Sequence, residues 1–132
     1  MHSPISLPVA AFLGITAVGL GAFGAHGLEA QLAARGSTDT WETATLYHLV
    51  HATVFLVASL AADHLQEDRA GAALRRAGLC WLLGIVLFSG SLYTLALGGP
   101  RWLGPVTPLG GVLLILGWFF AGWAGRRRVG AA

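Results

Sequence analysis

Four long apolar runs alternate with short polar segments along the chain, over roughly 7–26, 41–62, 77–97 and 106–124. Crossing a hydrocarbon core of about 30 Å at about 1.5 Å per residue takes about 20 helical residues, and each run meets that length. The pattern predicts an all-α integral membrane bundle of four transmembrane helices in a single domain, 1–132. Segments 27–40 and 98–105 then lie on one side of the membrane and 63–76 on the other. The first run is read as a span and not a secretory signal, because Met1 to Pro4 holds no Lys or Arg and the run is longer than a signal core.

Phasing at about 100° per residue shows which faces turn inward. In the second run Trp41, Ala44, His48, His51, Phe55, Ser59 and Ala62 share one stripe, expected to face protein. In the third, Ser89 and Tyr93 are four apart and share a face, whereas Ser91 is rotated away and is expected to bond its own preceding turn. Small residues recur at three- and four-residue steps in the first run (Ala10, Gly14, Ala17, Gly21, Gly24) and in the last (Gly117, Ala121, Gly125). Such stripes let helix backbones approach closely, so spans one and four are read as interior packing surfaces.

The ends of the runs carry their own signals. Asp39 with Glu42 three residues on has the spacing of a capping box variant, and acids there suit the positive end of the helix dipole. Thr107 is expected to cap the last span, with Pro108 in the first helical position, where its missing N–H leaves nothing unpaired. "GLEAQLAARGSTD" predicts a short surface helix with Leu28 and Leu32 on one side, stopped at Gly36.

Composition agrees with the spans. The chain is 55% hydrophobic and 11% charged, against about 25% charged residues in a typical soluble domain. Its net charge of +2 comes from eight arginines, no lysine and six acids. The arginines gather in "EDRAGAALRR" and "GRRR", beside apolar runs, which is the habit of membrane flanks and excludes a nucleic-acid groove. Arg69, Arg75 and Arg76 follow span two and Arg126, Arg127 and Arg128 follow span four, while only Arg35 and Arg101 lie in the opposite loops. Arginine-rich short segments stay inside, so both termini are predicted to be cytoplasmic, in a multi-pass protein of the bacterial inner (cytoplasmic) membrane. Trp41 and Trp102 then fall at the outer interface, Trp81 and Trp123 near the inner one. The lone Cys80 excludes an internal disulfide and a cysteine-rich metal site, and is read as packing.

With that orientation, His48 and His51 lie about 10 and 15 Å below the start of span two. His26, Ser89, Tyr93 and Thr107 fall in the same leaflet, forming a candidate buried polar cluster. His2 and His64, terminal or in a loop, are read as solvated. Ionisable groups at such depth face the bundle interior and are functional candidates, although neutral His, Tyr and Ser also serve simply to bond helices together. The leading reading is a non-enzymatic accessory or assembly module, with the lipid bilayer and a membrane-protein partner or a second copy as its neighbours. A second reading is cofactor binding: His26 with His48 or His51 holding a metal or haem, or hydrogen-bonding a quinone headgroup. The sequence requires no cofactor. A third is proton or small-solute transport, weakened because the polar layer stops below Ser59. An enzyme built on Ser89, His48 and Tyr93 lacks an orienting carboxylate at that depth; Glu29, Asp39 and Glu42 are available only to a shallow surface site.

The segments "FGAHGL" (Phe23 to Leu28), "TATLYHLVHA" (Thr43 to Ala52), "LFSGSLYTLAL" (Leu87 to Leu97) and "LGPVTPLGGVLLILGW" (Leu103 to Trp118) resemble the signature segments of the domain of unknown function 423 family. That is a group of small bacterial inner-membrane proteins similar to eukaryotic transmembrane protein 256. The resemblance spans all four runs in order and implies a four-helix integral membrane protein. It implies no activity and transfers no catalytic or binding residue.

Overall fold

A computed structural model describes residues 6–65 and 69–129, the last three by backbone alone. Every regular element among them is helical. Helix α1 (Leu7–Ala22) starts after the extended Ser6, with Pro8 in its first turn, and continues into a π-helical turn, Phe23–Gly27. Helix α2 (Glu29–Arg35) is short. Helices α3 (Thr38–His64), α4 (Arg69–Ala96) and α5 (Val106–Val129) follow, with a 3₁₀ turn at Arg101–Leu103 before α5. Four of these helical segments are long and apolar enough to cross a membrane: Leu7–Gly27, Thr38–His64, Arg69–Ala96 and Arg101–Arg126.

The connection expected over 63–76 is much shorter in the structure, because α3 runs to His64 and α4 already begins at Arg69. "RAGAALRR" is rich in helix formers, and Ala70 and Ala73 are buried against Ala124 of α5, so the helix is packed as well as favoured locally. On the other side, Leu32 is buried and α2 ends at Gly36, whose φ of 62° lies in the left-handed region. Glycine adopts that conformation without a Cβ clash.

Two expected caps are replaced by tertiary bonds. Asp39 does not cap α3: the helix starts at Thr38, so Asp39 sits in its first turn, where it acts on the dipole alone. Ser37, the residue before the helix, donates its hydroxyl to the Ala96 carbonyl at 2.8 Å, tying the start of α3 to the end of α4. Thr107 does not cap α5 either. The helix starts one residue earlier, and the Thr107 hydroxyl lies 2.7 Å from Ser91 Oγ on α4 and 3.4 Å from the Leu103 carbonyl.

The long helices pack in chain order: α1 against α3, α3 against α4, and most extensively α4 against α5. Lipid offers little hydrophobic drive for helix association, so close van der Waals fit and polar bonds must supply it. Small residues provide the fit. A Cβ at Gly110 would fall on the Phe88 backbone, one at Gly84 on Leu114, and one at Gly117 on the Trp81 indole. The central core joins Leu13, Phe55, Trp81, Ile85 and Leu114, one or more from each long helix.

Spans one and four are not interior surfaces as a whole; they are the least buried, at 22% and 17% of their apolar windows, against 39% for each of the other two. In the predicted stripe of α1, Ala10 and Ala17 are buried and Gly21 and Gly24 meet Thr45 and Trp41, but Gly14 has nothing near it. In α5, Gly117 meets Trp81 whereas Gly125 faces open space. Each terminal span packs extensively on one neighbour, α1 on α3 and α5 on α4, so a narrow stripe suffices and most of the remaining surface is left to the membrane. Phe12, Ile15 and Val18 on α1, and Leu109, Ile115 and Phe119 on α5, are correspondingly exposed.

Candidate functional site

The stripe Trp41, Ala44, His48, His51, Phe55, Ser59 and Ala62 is buried along its whole length. Its two imidazoles, less than one turn apart, have different partners. His51 Nδ1 lies 2.7 Å from the Tyr47 carbonyl one turn back, and Trp118 Nε1 donates to His51 Nε2 at 3.2 Å. An indole N–H can only donate and a carbonyl can only accept, so His51 is the neutral tautomer protonated on Nδ1. Both nitrogens are engaged. The Trp118 ring meets His51 edge-on, with centroids 6.2 Å apart, and also meets Trp81 at 5.3 Å. His51 therefore fastens α3 to α5, two helices that otherwise touch little.

His48 is held more loosely. Its Nε2 is 3.4 Å from Thr16 Oγ1 of α1 and its Nδ1 is 3.4 Å from the Tyr93 hydroxyl of α4. Thr16 already donates its proton to the Phe12 carbonyl at 2.9 Å, so it accepts from His48, which is thereby protonated on Nε2. Tyr93 donates toward His48 Nδ1 or toward Thr45 Oγ1, also at 3.4 Å. Three contacts at the long limit contrast with the usual distance of about 2.9 Å. The Tyr93 ring is kept in place by Trp41, with centroids 4.7 Å apart. Trp41 is fixed in turn, because its indole donates to the Leu20 carbonyl at 3.0 Å. It reaches that carbonyl only because the neighbouring Gly24 leaves room; a Cβ there would fall on the indole.

Ser89 lies one turn before Tyr93 on α4 and is 1% exposed, yet its Oγ has no hydrogen-bond partner. Buried polar groups are nearly always paired. Trp81 Nε1 is the other buried side-chain atom among the described residues in this condition. Ser89 lines a groove of about 260 Å³ together with Thr16, His48, Gly90 and Tyr93, walled by Leu13, Leu20 and Ile85 and flanked by Phe12 and Val86.

The predicted polar cluster is thus brought together only in part. His48, Ser89 and Tyr93 share the groove, while His51 is turned to α5 and Thr107 pairs with Ser91. Ser91 also donates to the Phe88 carbonyl at 2.9 Å, the bond to its own preceding turn. His26 is exposed and takes no place in the cluster. It lies two residues beyond Gly24, which meets Trp41, and so on the opposite side of the turn from the buried face. The alternative pairing of His26 with His48 or His51 around a metal or haem is accordingly not assembled, and no group of three metal-ligating side chains occurs among the described residues. Glu29 and Glu42 line a separate recess of about 530 Å³ between the end of α1, α2 and the start of α3, whereas Asp39 does not. His64 is exposed at the end of α3, and His2 lies outside the described residues.

Thr16, Thr45 and Trp118 are partners that the sequence analysis missed. Trp118 carried a legible signal: it lies about 18 Å along α5, far from either interface, where an indole N–H needs an acceptor. Thr16 is likewise a lone hydroxyl in an apolar run, on the side of α1 shared with Leu13 and Leu20.

Four apolar helices of spanning length, with polar groups directed inward and aliphatic and aromatic side chains outward, define a small helical membrane protein. Residues 20–111 match the family model described as "Protein of unknown function (DUF423)", and the chain belongs to that family. It is similar to a UPF0382 membrane protein of Staphylococcus epidermidis, 47% identical over 102 residues covering 77% of this chain and 79% of the relative. The Bacillus subtilis UPF0382 membrane protein YwdK is 44% identical over 104 residues, covering 79% and 81%. A UPF0382 membrane protein of Schizosaccharomyces pombe is 35% identical over 115 residues, covering 83% and 92%. No solved structure matches.

Proposed function

We propose that the protein is a non-enzymatic accessory module of the bacterial inner membrane, with both ends in the cytoplasm, whose α5 helix docks on a larger membrane protein. The observation that carries this reading is the outward face of α5. There Trp118, Phe119, Trp123 and Arg126 surround Gly122 in a recess of about 350 Å³, and a Cβ on Gly122 would meet nothing within the chain. A small residue framed by aromatics and an arginine suits a helix contact.

Engagement of His51 by Trp118 and Tyr47, and of Ser59 by the Phe55 carbonyl at 2.8 Å, favours structural roles for these polar groups. The carboxylates of the second span, Asp39, Glu42 and Asp63, lie near its two ends and not at the depth of His48, which weighs against acid–base catalysis there. The arginine distribution favours the stated orientation.

The test is a photo-crosslinking amino acid placed in living cells at Phe119, with Phe12 on α1 as the lipid-facing comparison. A discrete protein adduct from position 119 that is absent from position 12 is expected. Lipid adducts alone at both positions would overturn the docking reading.

A further inference from the structure

Helices α1 and α4 both pack on α3, and they diverge at the level of His48, leaving the groove described above. Its mouth is flanked by Phe12 and Val86, which are 64% and 59% exposed and in a bilayer meet acyl chains. One wall at Gly90 is open, since a Cβ there would touch nothing. The groove is therefore reached sideways from the lipid.

Its chemistry is specific. Hydroxyls inside helices ordinarily donate to a carbonyl one turn back, as Ser59, Thr53 and Thr94 do here at 2.8 to 2.9 Å. Ser89 does not: its Oγ is buried beside the groove without a partner, so a shift of the surrounding side chains would bring its proton to a ligand there. His48 presents Nε2–H on the same groove through a contact of 3.4 Å to Thr16, and Thr16 keeps its own bond to Phe12 if that contact is given up. Tyr93 stands behind the imidazole, its hydroxyl 3.4 Å from Nδ1, and whenever it donates there and not to Thr45 it holds the proton on Nε2. Two donors thus border a space otherwise lined with Leu13, Leu20 and Ile85, with no carboxylate or arginine among its walls.

From this geometry we infer that the groove binds a neutral lipid-phase molecule through a carbonyl oxygen, which accepts from Ser89 Oγ–H and His48 Nε2–H while its hydrocarbon part lies along Phe12 and Val86. A carbonyl oxygen accepts two such bonds and brings no donor that would need satisfying. The bilayer offers that chemistry from two sources, the ring ketone of an isoprenoid quinone and the ester carbonyl of a phospholipid. The site shares no residue with the α5 face, so the two readings stand or fall separately.

The experiment uses the full chain in nanodiscs and reads isotope-edited infrared absorption of ¹³C-labelled carbonyls. In one arm the lipids are ether-linked and the probe is a decyl quinone labelled at both ring carbonyls; in the other the lipids are ester-linked and labelled, without quinone. A saturable, down-shifted carbonyl band in one arm supports the inference and names the source. Ser89→Ala is expected to weaken binding about tenfold, the loss of one net hydrogen bond. Val86→Trp, which blocks the mouth from its exposed side without touching the core, is expected to abolish the band even if Ser89→Ala fails to fold. No shifted band in either arm, or a band unaffected by these substitutions in folded protein, would overturn it.

Discussion

Removing the His51 imidazole tests the main internal fastening of this molecule. In His51→Leu, Trp118 Nε1 loses its acceptor and, in a bilayer, has no water to replace it. The Tyr47 carbonyl loses only a second bond, since a carbonyl has two lone pairs and the helix ladder engages the first. Stranding a donor away from water costs about 1–3 kcal/mol. The pairwise bond itself is weaker, because intramembrane side-chain bonds average about 0.6 kcal/mol and reach about 1.7 kcal/mol. A double-mutant cycle over His51→Leu and Trp118→Phe separates the two quantities, as Phe keeps most of the ring packing while removing the N–H. Unfolding in mixed micelles is expected to give about 1–3 kcal/mol for His51→Leu and a coupling of about 0.6–1.7 kcal/mol with Trp118→Phe. Nitrogen NMR of labelled histidine should find His51 protonated on Nδ1 and His48 on Nε2, since each assignment follows from the donors around it. Coupling within error of zero, or the opposite tautomers, would refute the reasoning.

Two further outcomes follow from packing and charge. Gly110→Ala drives a methyl group into the Phe88 backbone and is expected to cost about 1–3 kcal/mol by pushing α5 off α4, whereas Gly14→Ala, in open space, should leave unfolding within about 0.5 kcal/mol of the parent. Reporter fusions at the two termini should both report the cytoplasm, and replacing Arg75 and Arg76 by Ser should weaken that preference.

The sequence alone determined that this chain is a helical membrane protein, because span length, charge placement and the 3.6-residue period are local properties. The buried stripe from Trp41 to Ala62 was legible for the same reason: its seven residues share one face whatever the neighbouring helices do. Helix phasing applied to His26 would also have placed it outside, two residues past Gly24.

Only the tertiary structure decided what those faces meet. The two histidines of "HLVH" look equivalent in sequence, yet α3 presents one to a tryptophan of α5 and the other to a threonine of α1 and a tyrosine of α4. Depth in the membrane is set by counting residues along one helix; partnership is set by how four helices are arranged around one another. Hydrophobicity cannot encode that arrangement, because lipid and protein interior are equally apolar. It was decided by close approaches at Gly24, Gly84 and Gly110, and those depend on the surfaces of the facing helices. The same divergence of α1 from α4 leaves Ser89 without a partner beside an open groove.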